Sequence, residues 1–114
     1  MSYALIFFAL LQNAPAVTPA RLMSYEGTVR CAGLTQAASE LEGGESAEGK
    51  ALSDAALYWS LTAGQAAVAA GKPAGEADRD QSAARQLAVR QLTAGDDAAR
   101  ETLAACRRRT PDLG

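Results

Sequence analysis

The sequence predicts an all-α fold, a small four-helix array that follows an N-terminal signal helix and is closed by one disulfide. Three observations support this prediction. Apolar residues recur at helical spacing in four segments that glycine or proline separates. No run of four or more residues alternates apolar with polar and is rich in β-branched side chains, as a strand would be. The two cysteines, Cys31 and Cys106, fall in the first and the last of the four segments.

The N-terminus has the pattern of an export signal. Residues Met1 to Ala20 carry no charged side chain, and Tyr3 to Leu11 form an apolar run of signal-peptide length that is too short to span a bilayer. Ala14-Pro15-Ala16 fits the small-x-small pattern of a cleavage site. We expect a signal peptide over 1–16, cleaved after Ala16 or else after Ala20, and a single helical domain over 17–114. The positive charge usual before the apolar run is missing, and a buried first helix is the alternative.

The first helix of the domain is predicted to start at Ser24 or Thr28, with Cys31 and Leu34 on one face. An acidic, glycine-rich linker is expected at about 42–49. The second helix is predicted from Lys50 to Ala70, ending before the Gly-Lys-Pro at 71–73.

The second helix carries two apolar stripes side by side, and so wide an arc predicts burial on two sides, as in the central helix of a bundle. A third helix is predicted over 75–94 and a fourth after a cap at Asp96 or Asp97. The residues assigned to these apolar faces are Leu52, Ala56, Trp59, Ala63, Ala66 and Ala70 with Leu57, Leu61 and Val68 on helix two, Ala77, Ala84, Leu87, Ala88 and Leu92 on helix three, and Ala99, Leu103 and Cys106 on helix four.

The two cysteines are most simply paired with each other. In an exported chain of this size, two cysteines predict one disulfide, here between Cys31 and Cys106. Few large apolar residues remain outside the N-terminal segment, so the core is thin and a covalent link would matter to its stability. A redox pair is the alternative, but such pairs usually lie close together in a Cys-x-x-Cys motif.

Residues Gly44 to Ala51 reproduce the Gly-x4-Gly-Lys spacing of a phosphate-binding loop. The following position should be Ser or Thr to hold Mg²⁺, and it is Ala51. No apolar strand precedes the segment, and its glutamates would repel a triphosphate. The segment is therefore interpreted as a linker without a nucleotide.

The composition argues against most catalytic classes. The chain has no histidine, which removes His-based acid–base catalysis, the common triads and most zinc sites. The pairs Asp78/Asp80 and Asp96/Asp97 lie where acids cap helices or complement their dipoles. Eleven basic and 13 acidic residues give a net charge of −2, unlike the basic balance of a nucleic-acid binder. We expect no enzyme activity, no catalytic residues, no metal, no cofactor and no nucleic-acid partner.

Two segments are candidate contact sites. Tyr58, Leu61 and Val68 would form a partner surface if they stay exposed in the monomer. Arg107-Arg108-Arg109 is a candidate anion contact, although three basic residues also end a helix favourably by opposing its dipole.

The order of these features resembles a class of small exported bacterial two-cysteine helical proteins without known activity: a signal segment, a cysteine in the first helix, Ala-rich middle helices and a final Leu103-x-x-Cys106. The chain also shows a fainter similarity to HdeA-like periplasmic acid chaperones, from which its acidic linker and Ala-rich central helix depart. The expected function is an exported, non-catalytic helical domain, periplasmic or secreted, with a structural or protein-interaction role. Its partner would be a protein or the cell envelope, it would have no stable membrane span after cleavage, and a homodimer is compatible with this role. The alternatives are an acid-stress chaperone and, third, an uncharacterised enzyme.

Overall fold

A computed structural model describes residues 23–112 as four helices: α1 (Tyr25–Glu42), α2 (Ala47–Ala69), α3 (Glu76–Thr93) and α4 (Asp97–Arg109). These residues contain no strand, and a disulfide between Cys31 and Cys106 joins α1 to α4. The predicted all-α array and its disulfide are confirmed. The predicted signal peptide, with its cleavage after Ala16 or Ala20, lies outside the described residues.

Short polar side chains define where three of the helices begin. The Ser24 hydroxyl accepts a hydrogen bond from the Gly27 N–H, and Ser46 does the same for Gly49. A carboxylate oxygen of Asp96 accepts one from the Ala99 N–H. Each bond satisfies a backbone donor that has no partner inside the helix. Because Ser46 caps α2, that helix starts three residues before the predicted Lys50.

Helices α1 and α2 are joined by a tight turn that depends on two glycines. Gly43 ends α1 with φ of 87°, a left-handed conformation that favours glycine. Gly49 lies against it, since a Cβ at Gly49 would stand 1.7 Å from the Gly43 carbonyl oxygen. The loop is therefore confined to 43–46, and this close approach explains Gly49, the second glycine of the spacing that resembles a phosphate loop.

Helix α1, and not α2, is the central helix. It packs against all three other helices, whereas α2 and α3 touch each other little. Ten of its 18 residues are buried. The expectation that α2 is buried on two sides is wrong, because Leu57, Leu61 and Val68 face outward.

The buried face of α1 is built largely from small and hydroxyl side chains. Thr28 donates to the Tyr25 carbonyl at 2.6 Å and Thr35 to the Cys31 carbonyl at 2.7 Å, while Ser39 shares a 2.7 Å hydrogen bond with Ser53 of α2. Each hydroxyl is satisfied, so its burial costs little. Small side chains let the neighbouring helices approach α1 closely.

Within residues 23–112, the core includes two clusters along α1. One surrounds the disulfide and contains Ala32, Ala55 and Trp59; the other contains Leu34, Ala37, Ala88 and Ala99. Most of these residues are alanines, which bury little area each. Leu87, predicted to face inward, is 40% exposed. The core is as thin as the sequence predicted, and the disulfide crosses one of its two clusters.

Candidate interaction surface

Helix α2 presents an apolar face to solvent. Leu57, Leu61 and Val68 are 59%, 60% and 81% exposed. With Gly64 they follow a spacing of four, three and four residues, which places all four positions within an arc of roughly 60° around the helix. We call these four residues the outer face of α2. No other helix within residues 23–112 covers it.

The opposite side of α2 is held firmly in the core. Trp59 is 1% exposed and packs in the cluster that contains the disulfide. Its indole N–H donates to the Thr110 hydroxyl at 2.9 Å, and that hydroxyl donates to the Cys106 carbonyl at 2.8 Å. The disulfide, the indole and the end of α4 thus form one unit. This unit fixes α2 so that its outer face stays outward.

Of the three residues predicted as a partner surface, the structure places Leu61 and Val68 on the outer face. Tyr58 is half-buried and packs edge-on against Trp59, with ring centroids 5.0 Å apart. Leu57 belongs to the outer face as well, although the sequence predicts it in the core. The sequence shows the helical spacing of Leu57, Leu61 and Val68, but this spacing is the same for an exposed stripe and for a buried one.

The outer face lacks charge along its whole length. Between Asp54 and Lys72 no residue of the chain is charged. Asp54 is exposed near one end of the face, and Lys72 lies just beyond the other end of α2. The surface is therefore an apolar stripe with an acid at one end and a base at the other.

The predicted anion-contact residues lie in the last turn of α4, where their charges oppose the helix dipole. Arg107 forms an ion pair with Glu48 of α2, and both side chains are well exposed. Arg108 and Arg109 are also exposed. One of the three guanidinium groups is thus engaged within the chain, so the three do not form a free basic cluster.

A polar contact ties the start of α1 to α3. The Tyr25 hydroxyl donates to an Asp80 carboxylate oxygen at 2.7 Å. Partial burial of the phenol and its neighbouring carboxylates, Asp80 foremost, raise the pKa of Tyr25 to about 12. The Lys72 ammonium lies 4.7 Å from the centre of the Tyr25 ring and 3.2 Å from a Glu76 carboxylate oxygen. The polar side chains at the start of α1 therefore act as structural links to α3 and to the segment that precedes it.

Residues 23–112 contain no group of three or more His, Cys, Asp or Glu side chains placed to hold a metal ion. Both cysteines are engaged in the disulfide and are 2% exposed or less. A redox-active pair needs access to its partner thiol, so the buried disulfide fits a structural role. None of α1 to α4 is both long enough and apolar enough to cross a membrane.

Comparison with protein-family models, with curated proteins and with solved structures finds no match for this chain. Within residues 23–112, the outer face of α2 is the largest aligned group of exposed apolar side chains, and no contact within the fold accounts for it.

Proposed function

We propose that this chain is an exported, non-catalytic helical domain that binds a partner through the outer face of α2. The observation that carries the proposal is the exposure of Leu57, Leu61 and Val68 on one charge-free stripe. Single exposed apolar residues are common on proteins, but an aligned group is typical of an interaction site.

The free energy that burial of these side chains would provide supports a role in binding. Burying one Leu or Val side chain is worth about 1.5–3 kcal/mol, so leaving three of them in water forgoes a sizeable share of what a small domain can gain. The chain instead fills its core with alanines and closes it with a disulfide. This arrangement makes sense if the large side chains of α2 are reserved for a partner.

The proposed location rests on different evidence. The uncharged N-terminal segment and the small-x-small site at Ala14–Ala16 favour export. The buried disulfide is compatible with an oxidising compartment such as the periplasm or the cell exterior.

An acid-stress chaperone is the second candidate. It is favoured by the carboxylates that link different helices, which acid would neutralise: Glu40 to Arg85, Glu48 to Arg107, and Asp80 to Tyr25. Full protonation of the acids would leave 11 basic charges unbalanced. However, each exposed ion pair contributes only about 0–1 kcal/mol, and the disulfide survives at low pH. An interaction domain is therefore the better-supported function.

Photo-cross-linking tests the proposed role. A photoreactive amino acid is placed at Leu61 in the exported protein, with Leu41 as the matched control because it is a leucine 53% exposed on α1. We expect a covalent adduct from position 61 and little or none from position 41. Equal labelling at both positions, or none, would remove the case for a specific surface.

Export is tested separately by fractionation, N-terminal sequencing and a thiol count. We expect a chain that begins at residue 17 or 21 and has no free thiol. An intact Met1 together with two free thiols would refute the exported form.

A dye that reports exposed apolar surface distinguishes the chaperone from the interaction domain. Dye binding only at acid pH would favour the chaperone.

A further inference from the structure

We propose that the partner on the outer face of α2 is a second copy of this chain, held in an antiparallel α2–α2 pair whose two-fold axis passes between Leu61 and Gly64. This inference rests on the proposed function, because it names the occupant of the surface proposed there. The spacing, the side-chain sizes and the end charges of the outer face support this antiparallel pair.

The spacing of the outer face is that of a coiled-coil seam. Steps of four, three and four residues from Leu57 to Val68 place the four positions at alternating d and a sites of a heptad repeat. In an antiparallel pair, an a site of one helix faces a d site of the other. Within the 23 residues of α2 the seam extends about 17 Å, three turns of helix.

The side-chain sizes match under a two-fold axis. Leu61 would face Gly64 of the second copy, and Leu57 would face Val68 of the second copy, each contact occurring twice as two-fold symmetry requires. Gly64 has open space around it, since a Cβ built there meets nothing within 4 Å. A leucine of the second copy can enter that space. In a parallel, in-register pair, Gly64 would instead face Gly64 and leave a gap.

The end charges favour the same orientation. An antiparallel pair brings Asp54 of each copy toward Lys72 of the other, whose ammonium also contacts Glu76 and the Tyr25 ring of its own chain, so opposite charges face each other at both ends. A parallel pair would bring Asp54 near Asp54 and Lys72 near Lys72. Like charges across an interface are unfavourable. The absence of any charge between these two residues leaves nothing to repel the second copy along the seam.

The size of the face sets the expected strength. Three large apolar side chains and a glycine give less than the roughly 800 Å² per partner of a standard stable interface. We therefore expect a reversible dimer with a dissociation constant in the micromolar range.

Sedimentation of the exported, oxidised protein across its micromolar range measures this dimer. Leu61→Glu places two carboxylates at the axis and should raise the dissociation constant at least about 100-fold. The matched control, Leu41→Glu, makes the same change at a leucine of similar exposure outside the seam and should leave the constant unchanged. Fluorescence of Trp59, which faces away from the seam, verifies that both variants are folded.

A charge exchange tests the orientation. Asp54→Lys alone should weaken the dimer about 3–10-fold, and combining it with Lys72→Glu should restore the affinity. Because Lys72→Glu also removes the ion pair with Glu76, Trp59 fluorescence verifies that the double variant is folded. In a parallel pair the single change would replace one like-charge contact with another, so it would have little effect. A weakened single variant and a restored double variant support the antiparallel pair, and an unaffected single variant overturns it.

The failure of this inference can be told from that of the proposed function. A wild-type chain that remains monomeric up to about 1 mM overturns the second copy as partner. If position 61 then cross-links to a protein of another mass, the interaction role stands and only its partner is corrected. A cross-link within one uncut chain, to residues 1–22, also overturns the dimer, whereas an adduct of twice the chain mass supports it.

Discussion

Replacing Gly33 by alanine would force α1 and α3 apart at the point where they cross. A Cβ at Gly33 would stand 2.6 Å from both the carbonyl carbon and the Cβ of Ala84, and 2.9 Å from its carbonyl oxygen. Two of those three atoms belong to the α3 backbone, which cannot rotate out of the way as a long side chain could. The whole of α3 would have to shift by several tenths of an ångström.

The expected cost follows from two opposing effects. Adding a methyl group to a packed core costs about 1–3 kcal/mol, and a contact with rigid backbone belongs at the upper end. Alanine in place of glycine inside a helix returns about 0.8–1.0 kcal/mol. We therefore expect Gly33→Ala to lower the free energy of unfolding by about 2 kcal/mol, and the melting temperature by roughly 8–16 °C for a domain of this size.

Gly64→Ala is the matched control, because it makes the same change within a helix where nothing lies within 4 Å. It should raise stability by about 0.5–1 kcal/mol. Chemical unfolding followed by the fluorescence of the single tryptophan, at submicromolar protein where the proposed dimer is dissociated, measures both. Ala84→Gly should not rescue Gly33→Ala, since the carbonyl carbon remains in the way. If the two glycine variants have equal stability, the close crossing of α1 and α3 is refuted.

Three further changes test the contacts that hold α2 and α1 in place. The paired change Cys31→Ala and Cys106→Ala removes the disulfide. In the chain-entropy treatment of a 75-residue separation it should lower the free energy of unfolding by about 4–5 kcal/mol, measured by urea unfolding. A loss below about 1 kcal/mol would mean that the core is stable without the disulfide. Tyr25→Phe should cost about 1 kcal/mol by losing the hydrogen bond to Asp80. Folding raises the Tyr25 pKa from 10.0 to about 12, so the contribution of the Tyr25 hydroxyl to the free energy of unfolding is complete below pH 10 and is lost as the pH rises through 12. Tyr25→Phe should lack this alkaline decline in stability. An unchanged decline in the variant would contradict the assignment. Thr110→Ala leaves the buried indole N–H of Trp59 without its acceptor and should lower the free energy of unfolding by about 1–3 kcal/mol. The readout is a shifted emission maximum of Trp59. Unchanged emission and stability would show that this hydrogen bond contributes nothing.

The sequence predicts the four helices, most of their ends and the disulfide, because caps and glycine stops leave a local pattern. It does not predict the start of α2 at Ala47, since the Ser46 cap lies within the segment expected to be a linker. For α4 the sequence predicts an N-cap at Asp96 or Asp97, and in the structure Asp96 is the N-cap. Which helix occupies the centre could not be predicted in the same way. The buried face of α1 relies on Thr28, Thr35 and Gly33, residue types that hydropathy scores as neutral but that permit close packing. The two apolar stripes of α2 predict a central position, because hydropathy scores their large side chains highly whether or not another helix covers them.

The exposure of the outer face of α2 is not explained by the stability of the fold. A bundle that needed Leu57, Leu61 and Val68 for stability would have turned them inward, yet they are more than half exposed. The fold is held instead by small-residue contacts along α1 and by a covalent link beside Trp59. The contacts that stabilise the fold and the apolar outer face therefore lie on opposite sides of α2. We therefore expect Leu61→Glu to abolish the proposed binding without unfolding the chain, and Gly33→Ala to weaken the fold while leaving the outer face intact. Such independent effects are what a binding surface on a disulfide-stabilised scaffold requires.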